Sequence, residues 1–197
     1  MNGHVPQRII VIGSSNAGKT TLATRLAGIL GAPMIELDAL HWESGWREAE
    51  LAVFQDRVRT ATDSQRWVMD GNYLPKQQDV SWPRADTIVW IDLPLATLLR
   101  RCVGRSWSRW RSQEQLYGGD NRERFVEHLM LWDTDRSLIS HIIRTHRRRR
   151  RDYSAMSRDP QWAHLTVICL RSTDEIETWL QDLGHIAEQS EDPSIRA

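Results

Sequence analysis

Eight residues, Gly13 to Thr20, read G-S-S-N-A-G-K-T, and no other stretch limits the fold of this chain so tightly. The apolar run Ile9, Ile10, Val11, Ile12 precedes them and Thr21 to Ala27 follows, so the local order is buried strand, tight loop, helix. That is the context in which G-x-x-x-x-G-K-[ST] carries physical meaning. Gly13 and Gly18 let the backbone wrap until consecutive amide N–H groups point inward, and the helix that follows adds its positive end. Gly13, Ser14, Ser15, Asn16, Ala17, Gly18, Lys19, Thr20 and Thr21 therefore read as a cradle for the phosphates of ATP. Lys19 is placed to reach the β and γ phosphates, and the Thr20 hydroxyl to ligate Mg²⁺. Of the 26 basic residues only Lys19 and Lys76 are lysines, so a lysine stands where a compact point charge is wanted.

Downstream, Gly31 and Pro33 end the first helix, and Pro33 to Leu37 reads as a second strand that delivers Asp38 to the carboxyl end of the sheet. Ligands bind at that edge of open parallel sheets, so Asp38 and His41 are candidates for an acceptor site. For Asp38 a turn residue is the ordinary alternative, and for His41 a ring packed on Trp42. After Gly45, Arg47 to Thr62 has a helical period with Leu51, Phe54, Val58 and Ala61 on one face. Arg47 opens that helix, where an anionic acceptor and solvent are both available to it. Arg66 to Met69 is a third strand ending in Asp70-Gly71-Asn72-Tyr73. A carboxylate there suits a holder of Mg²⁺, Gly71 a close approach of substrate to backbone, and Asn72 and Tyr73 contacts to an acceptor. Thr87 to Ile91 is a fourth strand, and Asp92 after it rivals Asp70 for the metal. Leu-Pro follows Asp92 as a helix start, which favours Asp70. Leu165 to Leu170 is a fifth strand, and Thr173 caps a last helix.

At 197 residues, with 40% apolar and 26% charged residues, one soluble domain over 1–183 accounts for the chain. It is expected to contain an acceptor-binding helix at about 39–62 and a lid at about 104–122, followed by a disordered tail at 184–197. The two cysteines form no C-x-x-C pair and the seven histidines no ligand spacing, which argues against a zinc site. With neither a membrane-length apolar run nor a signal peptide, a cytoplasmic location without a membrane partner is expected. Oligomeric state is left open. The formal net charge of zero conceals a segment from Arg100 to Arg151 with fourteen arginines and six acids. Its Ser106 to Gly119 part is basic, aromatic and glycine-hinged, as suits a lid over a triphosphate. Arg147 to Arg151 is five consecutive arginines, readable as a nucleic-acid tract or as a solvated helix end. Arg101 and Arg105, four apart, share a helix face.

With these motifs in hand, the chain resembles the adenylate kinase-like P-loop kinases, and within them the proteins described as DNA topology modulation (FlaR-type) proteins. The likeness covers most of residues 8 to 183. It rests on G-S-S-N-A-G-K-T, E-L-D-A-L-H-W, Gly45-Trp46, W-V-M-D-G-N-Y, D-L-P, the R-x-x-x-R of Arg101 and Arg105, and L-R-S-T-D-E-I. The resemblance implies a three-layer α/β fold with a five-stranded parallel sheet in the order 2-3-1-4-5. It also implies that Arg101 and Arg105, with Arg136 from the far side of the lid, brace the transferring phosphoryl group. Two departures stand out: D-G-N-Y replaces the D-G-x-P-R that helps hold a monophosphate, and a large zinc-bearing lid is absent.

The expected function is an ATP-dependent phosphotransferase. Its metal would be held by Thr20 and Asp70, and its catalytic groups would be Lys19, Arg101, Arg105, Arg136 and Asp38. Asp38 would orient or deprotonate a hydroxyl acceptor, while a phosphate acceptor would call on Arg47. A second reading is an ATP-binding regulatory protein whose arginine-rich region contacts nucleic acid.

Overall fold

The computed structural model describes residues 5–112 and 138–191, the side chains of 105–112, 138–141 and 191 excepted. Its strands are β1 (Arg8–Gly13), β2 (Met34–Glu36), β3 (Trp42–Glu43), β4 (Arg47–Glu48), β5 (Trp67–Asp70), β6 (Thr87–Ile91) and β7 (Thr166–Leu170). Five of them form one parallel sheet in the order β2-β5-β1-β6-β7. Counting only these five, this is the expected 2-3-1-4-5. The central position of β1 explains its composition. Ile9 to Ile12 are each no more than 2% exposed, and a β-branched run suits a strand covered on both faces.

Alternation along the strands sorts their side chains into two layers. Ile9, Val11, Val68, Val89 and Ile91 pack with α1 (Lys19–Leu30), α5 (Leu95–Ser112) and α7 (Thr173–Glu191). Ile10, Ile12, Met69, Ile88 and Trp90 face the other way, onto Phe54 and Val58 of α3 (Leu51–Ala61) and onto Trp82. Helix α6 (Leu138–Met156) joins both layers, because Ile142 lies in the first core and Tyr153 in the second. It therefore passes the carboxyl end of β6, where Arg150 meets Asp92.

Several local expectations change. Residues 37–41 form a short helix, α2 (Leu37–His41), so Asp38 sits in a first helical turn and not at a strand end. Arg47 to Glu50 is not helical. Gly45 and Trp46 both take positive φ, 76° and 57°, and reverse the chain so that β3 and β4 pair as a hairpin before α3 starts at Leu51. The turn geometry there overrides the helical period, which survives only from Leu51 onward. Between Pro75 and Arg84 the chain forms α4 (Gln78–Ser81) and a single 3₁₀ turn, with Trp82 buried as a packing residue. Helix α5 continues through Ser112, so the first part of the expected lid is helical; residues 113–122 of that lid lie outside the described residues. The last helix runs past Gly184 to Glu191, and Ser172, not Thr173, caps it by accepting from the Glu175 amide at 3.0 Å. Residues 192–197 of the expected tail lie outside the described residues. Among the described residues no helix is long and apolar enough to cross a membrane.

Candidate active site

The loop between β1 and α1 owes its shape to three residues with positive φ: Gly13 at 153°, Asn16 at 63° and Gly18 at 92°. At Gly13 a side chain has no room, since a Cβ would lie 2.7 Å from the Ile91 carbonyl oxygen. The Lys19 ammonium donates back to the Ser14 carbonyl at 3.3 Å. Asn16 is only 8% exposed, yet neither its amide oxygen nor its amide nitrogen has a hydrogen-bond partner. An unsatisfied buried amide costs about 1–3 kcal/mol, so its place in this loop calls for a functional or structural reason.

Helix α1 and strand β5 bring the metal candidates together. The Thr20 hydroxyl donates to Asp70 Oδ2 at 2.5 Å, while Asp70 Oδ1 is buried without a partner. Burial pushes the Asp70 carboxyl above the usual range, against the opposing pull of Lys19 and the Thr20 hydrogen bond, and the Asp38 charge pushes it further up. A hydroxyl beside a carboxylate with one uncommitted oxygen, below a phosphate cradle, fits an oxygen-seeking cation such as Mg²⁺. Asp92, the rival, is spoken for. Arg150 binds its Oδ2 through Nε at 3.0 Å and a terminal nitrogen at 2.9 Å, with the Asp92 side chain only 4% exposed.

Of the residues expected to bind an acceptor, Asp38 lies half-buried, acts on Asp70 through its charge and accepts a 2.6 Å hydrogen bond from the Tyr73 hydroxyl. Those two residues meet across 35 positions of sequence. The other acceptor candidates have protein contacts of their own. Gly71 has φ 142°, and a Cβ there would come within 2.7 Å of Leu37 Cβ, so its lack of a side chain makes room for Leu37. Asn72 spans Gly13: its Oδ1 accepts from the Gly13 amide at 3.1 Å and its Nδ2 donates to the Gly13 carbonyl. Its amide thus clamps the phosphate loop, a role the D-G-N-Y motif alone did not disclose. His41 is 1% exposed, enclosed by Tyr73, Trp42 and Phe54 at ring distances of 4.3, 5.0 and 5.1 Å. Burial lowers its pKa, and Lys76 adds to that. It supports Tyr73 from behind. Arg47 is directed at Glu43, 2.8 Å away on the facing hairpin strand, with its side chain 77% exposed.

Arg101 reaches the loop itself. Its guanidinium donates to the Ala17 carbonyl at 2.8 Å and to the Thr173 hydroxyl at 3.0 Å, tying α5 and α7 to the loop. The Arg105 side chain and all of Arg136 lie outside the described residues. Arg147 to Arg151 sits inside α6 and not at a helix end, with Arg150 on Asp92 and Arg148 within 3.5 Å of Asp152.

No family model matches the chain and no curated protein matches it. Solved structures do. Shikimate kinase from Bacteroides thetaiotaomicron aligns with a TM-score of 0.54 at 20% identity, over 93% of this chain and 99% of that one. Shikimate kinase from Aquifex aeolicus aligns at 0.52 and 16% identity, over 93% and 97%. A gluconokinase from Sinorhizobium meliloti 1021 aligns at 0.50 and 16% identity, covering 94% of each chain. In its described residues the chain has the fold of the P-loop kinases.

Proposed function

We propose that this protein is an ATP-dependent phosphotransferase acting on a small-molecule acceptor bound between α2 and the loop after β5. The carrying observation is the convergence of three groups from separate elements: Thr20 at the phosphate loop, Asp70 against it, and Asp38 beside Asp70 under the Tyr73 hydroxyl. The fold shared with shikimate kinases and a gluconokinase supports the reading, as do the D-G-N-Y and L-D-A-L-H-W motifs by which the chain resembles FlaR-type proteins.

Thr20 and Asp70 would hold Mg²⁺, which when bound supplies charge neutralisation at the β and γ phosphoryl oxygens. Loop amides and the start of α1 bind the phosphates, and Lys19 turns from Ser14 to the terminal ones. Asp38, fixed by Tyr73, accepts the proton of an acceptor hydroxyl. Arg101 acts in the observed contacts by holding the loop, and Arg105 and Arg136 are proposed as the groups that meet the transferring phosphoryl. Catalysis of this type is mainly positioning and electrostatic stabilisation.

The test is ADP formation with Mg²⁺ and ATP against nucleosides, nucleoside monophosphates and hydroxyl metabolites, with Lys19→Ala as the blank. One acceptor that stimulates ADP release, with the stimulation lost in the blank, is the expected outcome. ATP binding with no stimulation by any acceptor would overturn the reading.

A further inference from the structure

Helix α6 divides its arginines between the protein and the solvent. Ile142, His146 and Tyr153 are buried, and their helical spacing defines the face turned to the core. Arg149 is half-buried, and Arg150 is committed to Asp92. The opposite face is different. Arg144, Arg147, Arg148 and Arg151, spaced i, i+3, i+4 and i+7, are all exposed and form one stripe along the helix. The patch is therefore not the run of five: Arg149 and Arg150 stand off it, and Arg144, outside the run, completes it.

The stripe weakens the helix that carries it. Arg144 stands three and four residues before Arg147 and Arg148, and these stand four and three before Arg151, so each guanidinium faces two others at spacings where like charges destabilise. Among the described residues only one carboxylate relieves this. Asp152 lies 3.5 Å from Arg148, with side chains 52% and 77% exposed, and so open a pair contributes little. A repulsion that the fold does not relieve marks a surface with another task. The chemistry of the stripe narrows its partner to a polyanion of phosphates. A guanidinium can give phosphate two parallel hydrogen bonds, and α6 contains no lysine. At about 1.5 Å per residue the stripe is about 10 Å long, a length over which a nucleic acid duplex presents about six phosphates. Ile143 is the only large apolar side chain exposed on α6 among the described residues. The stripe thus has no aromatic platform for unpaired bases and no apolar face to enter a membrane.

We propose that the face of α6 formed by Arg144, Arg147, Arg148 and Arg151 binds the phosphate backbone of a nucleic acid duplex, without regard to its sequence. The surface is a binding site in its own right and takes no part in the proposed phosphoryl transfer. Its contacts position the duplex by charge and do not read bases.

The experiment is a titration of the full chain into a fluorescently labelled DNA duplex of about 20 base pairs, read by anisotropy over a range of salt. A Kd on the order of 10 µM at about 50 mM salt is expected, weakening roughly a hundredfold by about 200 mM, for a log–log slope of about −3 to −4. Two duplexes of unrelated sequence should bind alike. Replacing all four arginines by glutamine should weaken binding at the lower salt by about tenfold or more and flatten the slope. Arg147→Gln alone serves if that variant does not fold, and should reduce the slope by about one. Arg66→Gln, which removes an exposed arginine ahead of β5, should leave the slope as it was. Absence of binding at the lower salt, an equal loss from Arg66→Gln and Arg147→Gln, or capture by phosphatidylserine vesicles but not by duplex would each overturn the proposal.

Discussion

Asn72 shows how one side chain can serve a motif 59 positions away. Its amide pairs with both backbone groups of Gly13, where no side chain is tolerated and the backbone turns out of β1. Asn72→Ala leaves those two groups without their partner, and we expect a loss of about 1–2 kcal/mol in stability with weaker ATP binding. Denaturant titration with and without nucleotide measures both. An unchanged ATP affinity would mean that the loop holds its shape without the clamp. His41 gives a pH signature. Its folded pKa is lowered, so the unfolded chain takes up its proton first as the solution is acidified from pH 7. Stability is then complete above the unfolded pKa of about 6.5 and falls below it, until the folded pKa is passed. His41→Phe removes the titrating group from a ring cage that accommodates another ring, so its stability difference from the parent should shift in its favour between pH 7 and pH 5. A difference independent of pH would contradict the assignment.

At the scale of elements, α6 decides the arrangement around the sheet edge. It crosses from one core layer to the other, with Ile142 and Tyr153 as its anchors, and Arg150 between them neutralises buried Asp92 at the end of β6. Arg150→Ala would leave a carboxylate with a 4% exposed side chain without its cation, at a cost of about 1–3 kcal/mol. Adding Asp92→Asn should restore most of that, because the buried charge is then gone. A double variant as unstable as the single one would show that packing, and not the charge pair, carries the effect. Buried Asp92, together with its Arg150 partner, also favours Asp70 as the proposed metal holder. The two aspartates stand at the carboxyl ends of β5 and β6, on either side of β1 in the sheet; Asp70 accepts from the Thr20 hydroxyl, whereas Asp92 is held by Arg150.

For the whole molecule, nucleotide binding should couple to folding, since the loop is held by residues from β5, α5 and α7. Mg²⁺ and ATP at 100 times Kd are expected to stabilise the protein by about 2.7 kcal/mol, and Lys19→Ala at the same concentrations by far less. A thermal or denaturant shift of equal size in both proteins would exclude the loop as the site. The charge asymmetry is also a property of the whole: a basic segment follows Arg100, while residues 36–76 are acid-rich.

The sequence by itself determined the phosphate loop, because its strand, glycines, lysine and helix are contiguous and their stereochemistry is local. It determined the five parallel strands for the same reason, since each is a short apolar run bounded by turn residues. That Thr20 and Asp70 stand together was legible as well, through the position of each residue in its own motif. Only the tertiary structure decided what Gly71, Asn72, His41, Arg47 and Arg101 do. Each has a role set by a contact with another segment: Leu37 against Gly71, Gly13 against Asn72, Tyr73 and Phe54 around His41, Ala17 under Arg101. Arg47 is the instructive intermediate, four residues from its partner Glu43 yet misread as helical. An i to i+4 spacing brings charges together on a helix, and a three-residue turn with two positive φ angles does so across a hairpin. Residue type and spacing can specify a local shape, but they do not contain the distance between segments, and the contacts of these residues are made of such distances.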